Sequence, residues 1–200
     1  MKIKTALSAG LAAAALAAPA AAPEWYVGLY AHDITVVGET LGLGAAGREE
    51  GAGIHLGYRS APFDSLGWLG RPQAHAFVSI NSNNTSNFVS LGLDWKIPLS
   101  ERFYLRPGFG LAYTDGAAGL PPVNAPGLTP QEQARRLALY RSRIDFGSKL
   151  LFNPQLALGF RFNDQVATEF SYTHLSNGQI FHTGKNQGLD DAGIRLVYSY

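Results

Sequence analysis

The sequence predicts an all-β protein, an eight-stranded antiparallel up-and-down transmembrane β-barrel of the outer-membrane type, with a short surface helix in the 116–143 connection. Apolar and polar residues alternate with a period of two in about eight segments, most with no helix between them, as in strands joined by hairpins. The apolar rows hold no charge and carry aromatics near their ends (Tyr58, Trp95, Phe103, Tyr113, Phe162, Tyr198, Tyr200), as rows that meet lipid do. After the first residues no apolar run reaches the length of about 20 needed for a spanning helix, so a membrane-spanning form has to be a closed barrel.

Residues 1–22 read as a secretory signal peptide: Lys2 and Lys4 precede an alanine-rich apolar run ending in AAPAAAP. The mature chain then begins near Ala22 or Pro23, and 23–200 has about the length of one domain, a single β-barrel. Glu24 to Thr35 is the first strand. In GAGIHLGYR, Ala52, Ile54, Leu56 and Tyr58 oppose Gly53, His55, Gly57 and Arg59. SAPFDSLGWLGRP is a long turn into QAHAFVSIN, where only Phe77 breaks the alternation. Val89 to Ile97 alternates again, and Pro98 to Arg102 turns the chain. FYLRPGFGLAYTD puts Phe103, Leu105, Phe109, Leu111 and Tyr113 on one face and Arg106, Gly108, Gly110 and Ala112 on the other. TPQEQARRLALYR has a Thr N-cap and Pro at the first helical position, which places the surface helix. GSKLLFNPQLALGFRF, the strand ending in YTHLSN, and DDAGIRLVYSY complete the set.

The polar rows are glycine and alanine interspersed with Arg59, Asp94, Lys96, Arg106, Arg161, Glu169 and Arg195, which suits a narrow lumen where acids and bases pair. The alternative is a secreted soluble barrel with its apolar row turned inward around a ligand. With the N-terminus in the periplasm, the connections after Thr35, Asn81, Asp115 and Asn177 are extracellular, while PLSER and NDQ are short periplasmic turns. Sixteen Lys and Arg stand against fifteen Asp and Glu, scattered along the chain, which argues against nucleic acid as a partner. There is no cysteine, so neither disulfides nor a thiolate metal site is available.

The chemistry concentrates in FSYTHLSNGQIFHTGKNQGLDD, residues 170–191. Phe170, Tyr172, His174 and Ser176 share one strand face, with His174 and Ser176 about 6–7 Å apart along the backbone. Asp190 shares parity with Ile194, Leu196 and Tyr198, so pairing of these two strands puts Asp190 on the face of His174 and Ser176. Ser, His and an acid on one surface are the parts of an acyl-transfer triad: Ser176 nucleophile, His174 general base, Asp190 orienting acid. Asn186, Gln187, the Asn177 side chain or the amides of the Asn177–Gln179 turn are the candidate oxyanion donors. By parity the three lie on the lipid-facing row, at the headgroup level of the outer leaflet. His182 is the only rival to His174, and no second histidine has an acid in register to make a metal site.

The run YTHLSN followed by KNQGLDD, with LLFNPQLALGFRF before it, resembles the outer-membrane lipid A 3-O-deacylase family (PagL), in which a His-x-Ser-Asn strand end precedes an Asn-x-Gly segment and an acid. The resemblance implies an eight-stranded outer-membrane barrel with a Ser-His-acid triad on its outer wall, no metal or cofactor, and lipopolysaccharide as substrate among the outer-membrane lipids. It implies His174 as base, Ser176 as nucleophile, Asn177 as a supporting neighbour and Asn186 as an oxyanion donor. The family's acid is typically Glu where this chain has Asp190, the loop from Asn177 to Asn186 is about two residues longer, and the connection before Leu150 is larger than the family pattern. The residues by themselves leave open a small structural or adhesive barrel, and a phospholipase or acyltransferase using the same triad.

Overall fold

The structure, a computed structural model, describes residues 22–42 and 47–200, so all of the expected signal peptide except Ala22 lies outside the described residues. The strands are β1 (Glu24–Ala31), β2 (Ala52–Arg59), β3 (Gln73–Asn81), β4 (Phe88–Asp94), β5 (Ile97–Pro98), β6 (Phe103–Thr114), β7 (Leu150–Arg161), β8 (Val166–Leu175) and β9 (Leu189–Ser199). Helix α1 (Val36–Leu41) lies in the first connection and α2 (Pro130–Ser142) in the long one. Antiparallel pairing runs β4-β3-β2-β1-β9-β8-β7-β6, and β4 pairs with β6 to close the ring, so eight strands form the barrel. The two-residue β5 rides on β6 opposite Leu105 and Tyr104, its Ile97 ending the strand expected from Val89 to Ile97 and its Pro98 opening the expected turn.

Side-chain alternation sends each row where its chemistry predicts. Leu29, Ile54, Leu91, Phe170 and Ile194 stand on the outside, exposed to the surroundings of the barrel. Aromatics ring the periplasmic end: Trp25 against Tyr58 at 5.0 Å between ring centroids, Phe103 against Phe160 at 5.1 Å, and Phe160 against Phe162 at 5.1 Å. The opposite row fills the lumen. Inward tyrosines face glycines across the ladder, Tyr26 opposite Gly57 and Tyr104 opposite Gly159. A Cβ on Gly159 would lie 2.1 Å from Tyr104 Cζ, so only glycine leaves room for the ring. Phe77, which breaks the alternation in sequence, points inward and packs on Tyr26 and His55.

The periplasmic half of the lumen is an ionic plug. Glu169 accepts from Arg59 (Nη2–Oε2 2.9 Å), Arg106 (Nε–Oε1 3.0 Å) and Tyr104 (3.0 Å), with Arg195 at 3.5 Å. Glu24 pairs with Arg59 at 3.0 Å, Arg106 at 2.8 Å and Lys96 at 2.6 Å, and Asp94 pairs with Arg59 at 3.0 Å and Arg106 at 2.7 Å. Each carboxylate therefore binds at least two cations, which offsets the cost of taking these charges out of water.

The first strand stops at Ala31, short of the expected Thr35, because Asp33 adopts a left-handed backbone (φ 51°) and turns the chain. The SAPFDSLGWLGRP connection owes its length to a 3-10 turn over Asp64–Leu69, pinned by an Arg71–Asp64 ion pair and by the Trp95 indole donating to Leu69 O at 2.8 Å. Helix α2 begins where the sequence places it, with the Thr129 hydroxyl capping Glu132 N at 3.2 Å. It buries no residue of its own. The connection that carries it sends Ile144 and Phe146 down beside Leu151, Leu175 and Leu189, and these five form an apolar stopper at the extracellular end.

Glu169→Gln removes the charge that three arginines share. The expected result is a loss of about 3–5 kcal/mol of barrel stability, read as a lower urea midpoint for the fast-migrating unheated band on a gel. An unchanged midpoint would mean that the plug contributes nothing to stability.

Candidate active site

His174 on β8 and Asp190 on β9 are direct cross-strand partners. Side chains of such a pair leave the sheet on the same side a few ångströms apart, and here His174 Nδ1 meets Asp190 Oδ1 at 2.5 Å. Both point away from the lumen, yet both are buried. The chain leaving β1 runs on beside β9, where Ile34 N donates to Asp190 O at 2.8 Å. Gly188 closes the other side: a Cβ there would lie 2.7 Å from His174 Cε1, so the imidazole rests on bare backbone. Asp190 Oδ2 and the neighbouring Tyr172 hydroxyl are buried, and among the described residues neither has a partner at hydrogen-bond geometry.

Ser176 continues the same outward row. Its backbone pairs with Phe152 through Phe152 N→Ser176 O (2.7 Å) and Ser176 N→Phe152 O (3.2 Å), in the register of the β7–β8 ladder. The ladder is interrupted between these points. The next hydrogen-bonded pair would be Pro154 with His174, and proline has no N–H to give. The neighbouring side chain substitutes, as Asn153 Nδ2 donates to His174 O at 3.0 Å and to Thr173 Oγ1 at 2.5 Å. The Asn-Pro step thus frees the strand end that carries His174 and Ser176 from one backbone bond and replaces it with an amide. Neither residue stands out by composition; a proline in a strand interior, two short of the bridge to Ser176, is the signal that finds them. Among the described residues no hydrogen bond joins the Ser176 hydroxyl to His174.

The two asparagines take different positions. Asn177 is buried, with its Nδ2 donating to Phe146 O and Lys185 O, both at 2.7 Å, and its Oδ1 accepting from Gln179 N at 2.7 Å. Its amide hydrogens are committed, so it holds the turn together and does not donate to a ligand. Asn186 accepts from Asn177 N through Oδ1 at 2.8 Å, which leaves its Nδ2, at the half-buried edge of the turn, as a donor uncommitted among the described residues. Gln187 Oε1 is occupied by Asp145 N (2.8 Å) and Arg48 Nη1 (2.9 Å). His182, the rival histidine, is exposed on the turn, and among the described residues it pairs with no acid.

Behind the sheet the adjacent carboxylate has histidines of its own. Asp191 faces the lumen, where His32 Nδ1 lies 3.0 Å from Oδ1 and His55 Nε2 lies 3.4 Å from Oδ2. His32 Nε2 also reaches Glu49 at 3.4 Å, and Glu49 accepts from Ile144 N at 3.1 Å. Asp33 accepts from the amides of Gly47, Arg48 and Glu49. These bonds tie the β1–β2 connection, the α2 connection and β9 into one assembly. Burial by itself lowers the His32 pKa, but the Asp191 and Glu49 carboxylates outweigh it and raise it to about 9. Among the described residues no group of three or more His, Cys, Asp or Glu is arranged to hold a metal ion.

The model of one protein family, described as lipid A 3-O-deacylase (PagL), matches residues 51–199. No curated protein matches the chain. Among solved structures, the crystal structure of the outer membrane enzyme PagL superposes with a TM-score of 0.55 at 13% identity, over 88% of this chain and 99% of that one. A de novo designed transmembrane β-barrel superposes with a TM-score of 0.51 at 10% identity, over 90% and 96%. At these identities the superpositions show the barrel fold.

Gly188→Ala forces the imidazole aside without touching the lumen. Ester cleavage should fall about 100-fold, the scale of a misplacement near 1 Å, with the heat-modifiable barrel retained; wild-type turnover would show that the ring does not depend on bare backbone there. His32 supplies a second test. Its raised pKa means that the tie it makes stabilises the fold fully below its unfolded value of about 6.5 and loses that contribution as pH rises through about 9. Tryptic cleavage after Arg48 in the folded protein should accelerate between about pH 7 and 10 more than in His32→Gln. Equal acceleration in both proteins would remove His32 from the account.

Proposed function

This chain belongs to the lipid A 3-O-deacylase (PagL) family and is an outer-membrane lipid A deacylase, an ester hydrolase; from that premise we propose that it cleaves the 3-O-linked acyl chain of lipopolysaccharide with Ser176, His174 and Asp190. The mature enzyme in this reading is a single barrel domain, residues 23–200. The observation that carries the assignment of residues is the 2.5 Å contact between cross-strand partners His174 and Asp190, with Ser176 next along the same outward row.

The chemistry follows from that contact. Asp190 Oδ1 accepts from His174 Nδ1–H, which leaves Nε2 as the basic nitrogen and stabilises the imidazolium when it forms. His174 Nε2 takes the proton of the Ser176 hydroxyl as Oγ attacks the ester carbonyl carbon. The carbonyl oxygen becomes an oxyanion, and Asn186 Nδ2 is the side-chain donor available to it. Collapse expels the sugar 3-hydroxyl, which takes its proton from His174, and water activated by the same base then hydrolyses the acyl-serine. The Ser176 to His174 hydrogen bond forms as the substrate settles, since such bonds commonly tighten only in the complex. An aspartate serves where the family has glutamate because the cross-strand register already brings its carboxylate to the ring.

Mass spectrometry of lipid A from cells with and without the protein should show loss of the 3-O-acyl chain. Loss of a different chain, or of a phospholipid acyl group, would overturn the position. Ser176→Ala and His174→Ala should abolish cleavage in a barrel that still folds, and Asp190→Asn should lower turnover about 10⁴-fold. Asp191→Asn should cost much less turnover, since its carboxylate faces the lumen. Asp190→Glu tests the register: reduced activity means that the site is built around the shorter acid, and increased activity means that aspartate is merely tolerated there. A dead Asp191→Asn beside an active Asp190→Asn would reverse the assignment of the acid.

A further inference from the structure

The long connection does more than stopper the barrel. Between it and the turn that carries Asn186 lies a cleft of about 1070 Å³, lined by Leu120, Leu137 and Tyr140 on one side and His182 and Lys185 on the other, with Gly147 at its floor. The floor is the back of the candidate site: a Cβ on Gly147 would lie 2.1 Å from Lys185 O and 3.0 Å from Asn177 Nδ2. Only glycine lets the connection approach so closely, so the cleft and the Asn177–Asn186 turn share a wall.

The charges at this cleft are unbalanced. Lys185 Nζ donates to the Tyr140 hydroxyl and lies 4.9 Å from the ring centroid, and the Arg48 guanidinium stands 4.6 Å from the same centroid. Among the described residues neither cation has a carboxylate within ion-pair distance, and residues 1–21 and 43–46 contain no acid. On α2, Arg135 and Arg136 share the single carboxylate of Glu132 at 2.8 and 2.7 Å, and Arg136 also donates to Pro122 O of the connection. Asp145, the one carboxylate lining the cleft among the described residues, is turned into the protein and accepts from the amides of Gly119, Leu120 and Gly147. Two cations held on one aromatic ring repel each other and leave donors free: Arg48 spends Nη1 on Gln187, and Lys185 spends one N–H on Tyr140. A dianion relieves that repulsion and takes those donors.

We propose that Lys185 and Arg48, spaced by Tyr140, form an anion subsite that takes a phosphate monoester of the glycolipid headgroup and so registers the sugar against the ester to be cut. This rests on the deacylase reading above. Phosphate on the lipid and free inorganic phosphate share the chemistry, and the experiment separates them. Binding is measured first, with the full mature chain carrying Ser176→Ala folded in detergent, against phosphorylated lipid A and the same lipid after phosphatase treatment. The phosphorylated lipid should bind at least about 10-fold more tightly, the order expected of one charge-assisted pair, and the preference should vanish when Lys185→Met is added. Equal binding of the two lipids overturns the subsite. Inorganic phosphate should weaken binding of the phosphorylated lipid alone; phosphate binding without a lipid preference would also overturn the proposal, by assigning the cations to the free ion.

Turnover by the wild-type serine form is the second arm, and it separates this inference from its premise. If neither lipid is deacylated, the deacylase reading fails while the binding comparison still decides the subsite. With an active enzyme, Lys185→Met should collapse the ratio of kcat/KM between phosphorylated and dephosphorylated lipid through KM. An equal slowing of both lipids would make Lys185 a positioning residue of the turn and overturn its role as an anion contact.

Discussion

Closure of the sheet by β4 against β6 is the constraint from which the rest follows. In hydrocarbon a strand's backbone groups must find their partners in neighbouring strands, and an open edge would leave a row of them unsatisfied. Closing eight strands fixes a narrow lumen, and that lumen has to be filled by alternate residues of every strand. The inward set here solves the packing with tyrosine against glycine and solves the electrostatics by surrounding Glu24, Asp94 and Glu169 with four cations. A wall braced from within in this way can carry polar groups on its outside without losing its shape.

The outer wall is therefore free to hold a reactive constellation, and the register of two strands does most of the positioning. His174 and Asp190 face each other because β8 and β9 pair as they do, and Ser176 follows on the same side because side chains alternate. Loops then complete what the strands begin. Asn177 and Asn186 lock the turn, Gln187 ties it to Asp145 and Arg48, and Asp191 fastens β9 to the first connection through His32. Adjacent aspartates thus serve opposite sides of the sheet, one beside His174 and the other beside the lumenal histidines.

What the chain discloses in sequence is what repeats with a period of two. The barrel, its inward charges, the α2 helix and the shared parity of His174, Ser176 and Asp190 are all readable from alternation or from a cap. The pairing of individual acids with individual bases is not, because it depends on which strands become neighbours once the ring closes. Loop contacts are hidden for a related reason: Arg48 to Gln187 and Glu49 to Ile144 join segments more than ninety positions apart, with no periodic pattern to announce them. The Asn153–Pro154 step lay in view, but its meaning required the register that sets proline opposite His174.

The outward orientation of the row from Tyr172 to Ser176 also decides how an enzyme of this kind meets its substrate. A group on the lipid-facing wall is reached by lateral diffusion within a leaflet, and the aqueous phase supplies only the water that finishes the reaction. The variable that saturates such a site is the mole fraction of substrate in the film around the barrel. Added inert amphiphile therefore slows it by surface dilution even when the amount of substrate per volume is held constant.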